Sequence, residues 1–176
     1  MMKRLAALVF GVLFALGVTV GGGIRINLSS SMPKGFYQLT ECGERARRQA
    51  EVGDLVAIET ATVAGSGFAF FRDRGWLSTS GRPDDLLVKR IVAVGGDEVT
   101  DRDGRLCVDR TCLTERGSAR VQTVRGVTLP SVTLPRRLHD EEVWLSSDHK
   151  KGIDSRYFGA IARTAIACRV EPLWIW

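Results

Sequence analysis

From Leu5 to Ile24 the chain carries no ionisable side chain, and from Arg25 onward apolar and polar positions alternate in short runs broken by Gly, Asp and Pro. An unbroken apolar stretch of this length suits a bilayer-spanning helix, whereas short alternating runs suit strands. The pattern predicts an apolar N-terminal helix over residues 1–24 and a mainly β domain over residues 25–176. Gly53-Asp54 opens a strand expected over Leu55–Glu59, and Leu86–Val94 is a longer one. Gly95-Gly96-Asp97 then turns the chain into Glu98–Thr100. Val121–Leu134 alternates weakly and ends on Pro135, and Glu142–Ser146 is a last strand with Val143 and Leu145 on one side and Trp144 on the other. The Gly-, Ser- and Phe-rich connection from Ala61 to Asp85 is too long for a simple turn and reads as a hairpin or a flap over a cleft.

Within Leu86–Val94, period two places Leu87, Lys89, Ile91 and Ala93 on one face and Val88, Arg90, Val92 and Val94 on the other. Both faces are apolar, so the strand is expected to be buried and to carry two cations with it. Burial removes water from an amine, favours its neutral form and lowers its pKa, which makes Lys89 a candidate base. A plain ion pair of Lys89 or Arg90 with Asp85 or Asp97 is the competing expectation.

Composition adds compartment and excludes some chemistry. The 176 residues are 44% hydrophobic and 26% charged, enough for one globular domain behind the apolar segment. Lys3 and Arg4 precede that segment, which keeps them cytoplasmic and puts Arg25 onward on the far side. Gly21-Gly22-Gly23 does not form an Ala-x-Ala cleavage pattern, which favours a retained anchor over a removed signal peptide. The formal charge of +5 permits contact with anionic lipid. The densest charge run, Glu44–Glu51, is mixed in sign and reads as a solvated helix or loop, and nucleic acid is not an expected partner.

An exported domain with four cysteines suggests disulfides. Cys107 and Cys112 bracket Val-Asp-Arg-Thr, which can turn between two short strands and join them. Cys42 and Cys168 are left either to tie the two ends of the domain or to stay as buried free thiols. With no Cys-x-x-Cys, and His139 and His149 as the two histidines, neither a metal nor a cofactor is expected.

The densest chemistry lies in Asn27–Tyr37, where Ser29, Ser30 and Ser31 precede Met-Pro-Lys-Gly. Pro33 fixes its own φ and Gly35 permits φ > 0, so the Ser31 hydroxyl is expected to be held in one orientation, as a nucleophile requires. A polar linker leaving a membrane segment is the plain alternative. In Leu145–Gly159, read as a polar loop, Asp154 and Arg156 can pair and fix the loop shape. Asp148 and His149 offer Ser31 a rival Ser-His-Asp arrangement, although neighbours on an extended chain point apart.

These stretches together resemble the signal peptidase I family of membrane-anchored serine proteases that use lysine as base. The motif regions occur in order: Ser31-Met32-Pro33, Gly53-Asp54-Leu55-Val56, Lys89-Arg90-Ile91-Val92 with Gly96-Asp97, and Ser147-Asp148 with Asp154-Ser155-Arg156. The compact Ser-Met-Pro-Lys-Gly-Phe-Tyr, the Arg74-Gly75-Trp76-Leu77 stretch and the tail from Leu134 through Trp144 to Gly159 resemble more closely the conjugative-transfer branch, the TraF-type peptidases. The resemblance implies the coiled β-sheet fold of the LexA/signal peptidase type.

It also implies Ser31 as nucleophile, Lys89 as general base, Ser29 beside the Ser31 N–H in the oxyanion hole, and Asp154 with Arg156 as support. The implied substrate is a membrane-inserted pilin precursor with small residues before the cut, processed at the periplasmic side of the inner membrane of a Gram-negative bacterium. The acyl-enzyme is resolved by water, or by an amine of the same peptide, which would close the subunit head to tail. A general signal peptidase and a non-catalytic pilin-binding component of the mating apparatus are the alternatives. Three positions depart from the family pattern. Gly95 stands for a usual Pro, His149 for a common Asn, and Gly152 for a Ser that orients the base lysine. That last role would fall to Ser146, Ser147 or Ser155.

Overall fold

The computed structural model describes residues 23–29, 31–77, 86–113, 123–124, 126–149 and 152–176. The apolar N-terminal segment up to residue 22, together with Ser30 and Asp85, lies outside the described residues. The chain runs β1 (Ile24–Asn27), β2 (Gly35–Cys42), α1 (Glu44–Gln49), β3 (Leu55–Glu59), α2 (Ser66–Asp73), β4 (Leu86–Val94), β5 (Glu98–Arg102), β6 (Arg105–Val108) and β7 (Thr111–Cys112). It continues through β8 (Thr123–Val124), β9 (Val127–Thr128), β10 (Arg136–Arg137), β11 (Glu142–Ser146), α3 (Ser155–Phe158), β12 (Ile161–Ala162) and β13 (Ile166–Ile175). Ile24, counted with the apolar run in the sequence, is thus already the first residue of the domain's sheet. Among the described residues no helix is long and apolar enough to cross a membrane.

The fold is mainly β, as expected. A seven-stranded antiparallel sheet has the order β1-β2-β13-β3-β4-β11-β12, and a smaller sheet has the order β10-β5-β6-β7. Strands β3, β4 and β11 have the limits that their apolar runs set. The Gly53-Asp54 turn ties β3 to β4 through Gly53 N–H to Ile91 O and Ile91 N–H to Asp54 O, both 2.9 Å. β1 and β4 are separated by three strands in this order, yet residues of both line one cleft. The sheet therefore curls, which is the coiled architecture the resemblance implied.

Three clusters fill the interior. Val56, Ile58, Ile91, Val143 and Leu145 pack on one face of the large sheet with Phe68 and Phe71 of α2. Met32, Tyr37, Leu55, Ala57 and Val170 form a second cluster beneath the serine-bearing loop. Trp144, Val92 and Ala93 meet Val99 and Leu106, so the small sheet is clamped onto the back of the large one.

Ala93 departs from its expected face. The β4–β11 register slips between Trp144, which pairs with Ala93, and Leu145, which pairs with Ile91. This bulge turns Ala93 to the Trp144 side and Val94 to the side of Ile91, because one extra residue reverses the period-two alternation. The Ala61–Asp85 connection is helical over α2 rather than a hairpin, and Trp76 and Leu77 at the end of its described part line a cleft. A Cβ on Gly67 would come within 2.7 Å of Tyr157 O and Phe158 Cα, so this helix is fastened backbone to backbone against α3. Between Val121 and Leu134 only the short pairs β8 and β9 form among the described residues.

The structure joins Cys107 to Cys112 across adjacent strands β6 and β7, and Cys42 of β2 to Cys168 of β13. The second bond cross-links neighbouring strands of the large sheet.

Candidate active site

Ser31 leaves the end of β1 in a loop whose shape is set by Asn27, Met32 and Tyr37. Asn27 Nδ2 donates to Met32 O at 3.0 Å and to Pro33 O at 2.9 Å, while its Oδ1 accepts from Ser29 N–H at 3.1 Å and Ser29 Oγ at 2.7 Å. The Tyr37 hydroxyl donates to Pro33 O at 2.6 Å, and Met32, 3% exposed, plugs the loop into the second cluster. Burial raises the pKa of Tyr37, with Asp148 adding to the rise and Arg90 opposing it, so the phenol stays a donor at neutral pH. Asp148 N–H donates to Ser31 O at 3.0 Å, tying the loop to the segment after β11. The sequence reading missed Asn27. Its Asn-x-Ser spacing, where a side chain reaches a backbone two residues on, was the available signal.

Gly35 owes its identity to something other than a positive φ. It lies in the extended strand β2, and a Cβ there would strike the Trp174 carbonyl of β13. The glycine permits close approach of two strands.

Lys89 stands on β4 opposite Val56, on the face shared with Leu87 and Ile91, and is 1% exposed. Burial pushes its amine down from 10.5 to about 8, with Asp154 pulling it back up, Arg156 adding to the fall and Asp148 opposing it. Both carboxylates are already committed. Asp148 accepts from Arg90 Nε at 3.1 Å and Nη2 at 2.9 Å, and Asp154 accepts from Arg156 Nε at 2.7 Å and Nη2 at 2.9 Å. Asp97, considered as a partner for the strand's cations, instead accepts from Val94 N–H at 2.9 Å. Arg90 thus takes the ion pair, while burial lowers the Lys89 pKa to about 8, so that a fraction of its amine is uncharged at neutral pH.

The Asp154–Arg156 pair is wholly buried. Asp154 also caps α3 by accepting from Arg156 N–H at 3.1 Å, and accepts from Ser147 N–H at 2.8 Å. What reads as a polar loop is therefore a one-turn helix on a buried ion pair, which fixes the backbone behind Lys89.

Ser29, Ser31 and Lys89 line the same cleft of about 680 Å³, together with Tyr37, Ile153, Leu86 and Val88. Ser29 Oγ and Ser31 Oγ are 3.0 Å apart. A hydroxyl, a second hydroxyl beside it and a desolvated amine in one apolar cleft can carry out attack on a carbonyl with proton transfer to the amine. His149 is exposed and does not line this cleft, and Asp148 serves Arg90, so the rival Ser-His-Asp arrangement is not assembled. Among the described residues no cluster of His, Cys, Asp and Glu could hold a metal.

The plasmid transfer protein TraF of Escherichia coli is 27% identical over 168 residues, which cover 93% of this chain and 90% of that protein. The conjugal transfer protein TraF of Agrobacterium tumefaciens (strain 15955) is 28% identical over 179 residues, 96% of this chain and 91% of the relative. A probable conjugal transfer protein TraF of Sinorhizobium fredii is 29% identical over 153 residues, 82% and 73% of the respective chains. The family model described as signal peptidase, peptidase S26, matches residues 2–176. With the match running through every stretch that builds the cleft, the chain belongs to the signal peptidase family, peptidase S26.

Proposed function

We propose that this chain is a serine endopeptidase that processes the pilin subunit of a conjugative transfer system, with Ser31 as nucleophile and Lys89 as general base. The observation that carries the proposal is a buried amine, shifted toward neutrality and lining the same cleft as Ser31. Ser31 Oγ attacks the scissile carbonyl as its proton passes to Lys89 Nζ, and the amine then gives that proton to the leaving nitrogen. The oxyanion is held by the Ser31 N–H and by Ser29, whose hydroxyl proton turns from Asn27 Oδ1 to the developing charge. Water, or the free amine of the same peptide, resolves the acyl-enzyme.

The cleft suits an extended peptide. β11 pairs with β4 from Arg90 to Val94, and among the described residues no strand covers that edge over Leu86–Lys89, where a substrate strand can add. A periplasmic site on the inner membrane is supported by position. Phe36, Trp174 and Trp176 form one aromatic cluster, with the two tryptophans 63% and 53% exposed, on the β2–β13 side next to β1. β1 directly follows the apolar stretch Leu5–Gly23, so such rings lie at headgroup level when that stretch is in the bilayer. The names of the relatives, plasmid transfer and conjugal transfer proteins, support a role in conjugation, and the pilin subunit as substrate is part of the proposal.

Co-expression with a pilin precursor in a Gram-negative host tests the proposal. Wild type should convert the precursor, and Ser31→Ala and Lys89→Ala should not. Conversion by either variant at the wild-type level would overturn the dyad, and binding without conversion by wild type would make the chain a non-catalytic pilin-binding component. Intact mass reads the product, since a cyclic subunit weighs one water less than a linear one.

A further inference from the structure

Ser29 Oγ and Ser31 Oγ lie 3.0 Å apart, and on that distance alone either can hand its proton to the other. Asn27 settles the direction. Its Oδ1 accepts from Ser29 Oγ at 2.7 Å and from Ser29 N–H at 3.1 Å, while its Nδ2 faces the carbonyls of Pro33 at 2.9 Å, Met32 at 3.0 Å and Ser29 at 3.3 Å. Turning the amide over would set oxygen against those carbonyls and nitrogen against the Ser29 N–H, so its surroundings fix its orientation. A hydroxyl has one proton to give. With that of Ser29 given to Asn27 Oδ1, Ser29 Oγ offers its neighbour only lone pairs, and Ser31 is the donor between the two serines.

We propose that Asn27 is a positioning residue that acts through Ser29 and sets a one-way chain of hydrogen bonds, Ser31 Oγ–H to Ser29 Oγ and Ser29 Oγ–H to Asn27 Oδ1. The assignment rests on the Ser31–Lys89 chemistry proposed above. In the substrate-free site the Ser31 proton is directed at Ser29 and is not offered to Lys89 Nζ. A substrate carbonyl reverses this. As negative charge grows on its oxygen, the Ser29 hydroxyl exchanges a neutral amide acceptor for an anionic one, which is the stronger bond. Its lone pairs turn with it, so Ser31 loses its acceptor and its proton goes to Lys89 Nζ. Ser29 keeps its own proton throughout, and Asn27 exchanges none. The bond from Ser29 N–H to Asn27 Oδ1 is untouched by the turn, so the backbone of Ser29 stays in place while its hydroxyl swings. Oxyanion binding and deprotonation of the nucleophile thereby become one event, triggered by substrate.

The test is a double-mutant cycle of Asn27→Ala with Ser29→Ala. Each variant is the full chain in detergent, shown to be folded by urea unfolding with disulfides intact, and assayed with a fluorogenic peptide carrying Ala-Gln-Ala before the scissile bond. Ser29→Ala should lower kcat by about 100- to 1,000-fold, the size of a lost oxyanion donor. Asn27→Ala should lower kcat by roughly 10- to 100-fold with KM little changed, but by less than about threefold once Ser29 is alanine, because the group it acts through is gone. Tyr37→Phe gives the structural reference, since it removes the bond to Pro33 O from the same loop and should cost the same factor in both backgrounds. If Asn27→Ala does not fold, Asn27→Gln, which carries the amide one methylene further out, supplies the same comparison. Wild-type kcat in the Asn27 variant, or an equal factor lost with and without Ser29 as for Tyr37→Phe, would overturn the assignment. Turnover by Ser31→Ala or Lys89→Ala would instead overturn the Ser31–Lys89 reading itself.

Discussion

Replacing Lys89 with methionine should remove activity and make the protein more stable at neutral pH. The amine is 1% exposed and its pKa falls from 10.5 to about 8, mainly because burial disfavours its charged form. That fall corresponds to about 3 kcal/mol of native-state destabilisation. The sign follows from proton binding. Below the native pKa both native and unfolded states hold the proton, and the native state bears the full cost of a buried charge. Between about 8 and 10.5 the unfolded chain binds more protons than the native one, so wild-type stability climbs with pH, and above 10.5 the cost is gone. Lys89→Met, close in volume and uncharged, escapes this penalty throughout. Urea unfolding with disulfides intact should place the variant about 3 kcal/mol above wild type near pH 7, with the gap closing toward pH 10.5. A variant no more stable than wild type at neutral pH, or a gap that does not change with pH, would refute the claim that Lys89 is held against its charged form.

Other consequences concern the frame of the site. Asp154→Asn should cost about 3–5 kcal/mol in urea unfolding, because it leaves the Arg156 guanidinium buried without its countercharge. Cys42 and Cys168 are 126 residues apart and Cys107 and Cys112 only 5, so chain entropy gives losses of about 5 and about 2 kcal/mol when each bond is removed by paired Cys→Ala substitution. Gly35→Ala drives a methyl into the Trp174 carbonyl and should cost about 1–3 kcal/mol, with a change in tryptophan emission as the end of β13 lifts.

How far the sequence reads ahead of the structure depends on what sets each element. β3, β4 and β11 are legible because their limits come from local apolar runs and Gly-Asp turns, and the residues brought to the cleft, Ser29, Ser31 and Lys89, are the same ones that hydroxyl density and a lysine in an apolar strand single out. α2 is not legible, since Gly65-Ser66-Gly67 disfavours helix locally and the helix is held by its contact with α3. β13 also escapes local reading, because Pro172 interrupts a run whose register depends on pairing with both β2 and β3. The facing of Ala93 is invisible in the sequence, as the bulge that turns it belongs to the pairing with β11. Burial of Asp154 and Arg156 is hidden for a similar reason: a charged pair eight and ten residues past the end of β11 looks solvated until the fold packs around it.

The most direct test of the Ser31–Lys89 pair is the rate at which an acyl adduct forms on residue 31. Substrate peptide is mixed with enzyme, quenched in acid within one turnover, and the adduct located by peptide mass. At pH 7 about a tenth of Lys89 is neutral, so the rate should rise about tenfold with pH to a plateau, half-maximal near 8, and Lys89→Met should form no adduct at any pH. An adduct on another residue, or one formed equally fast without the lysine, would contradict the account.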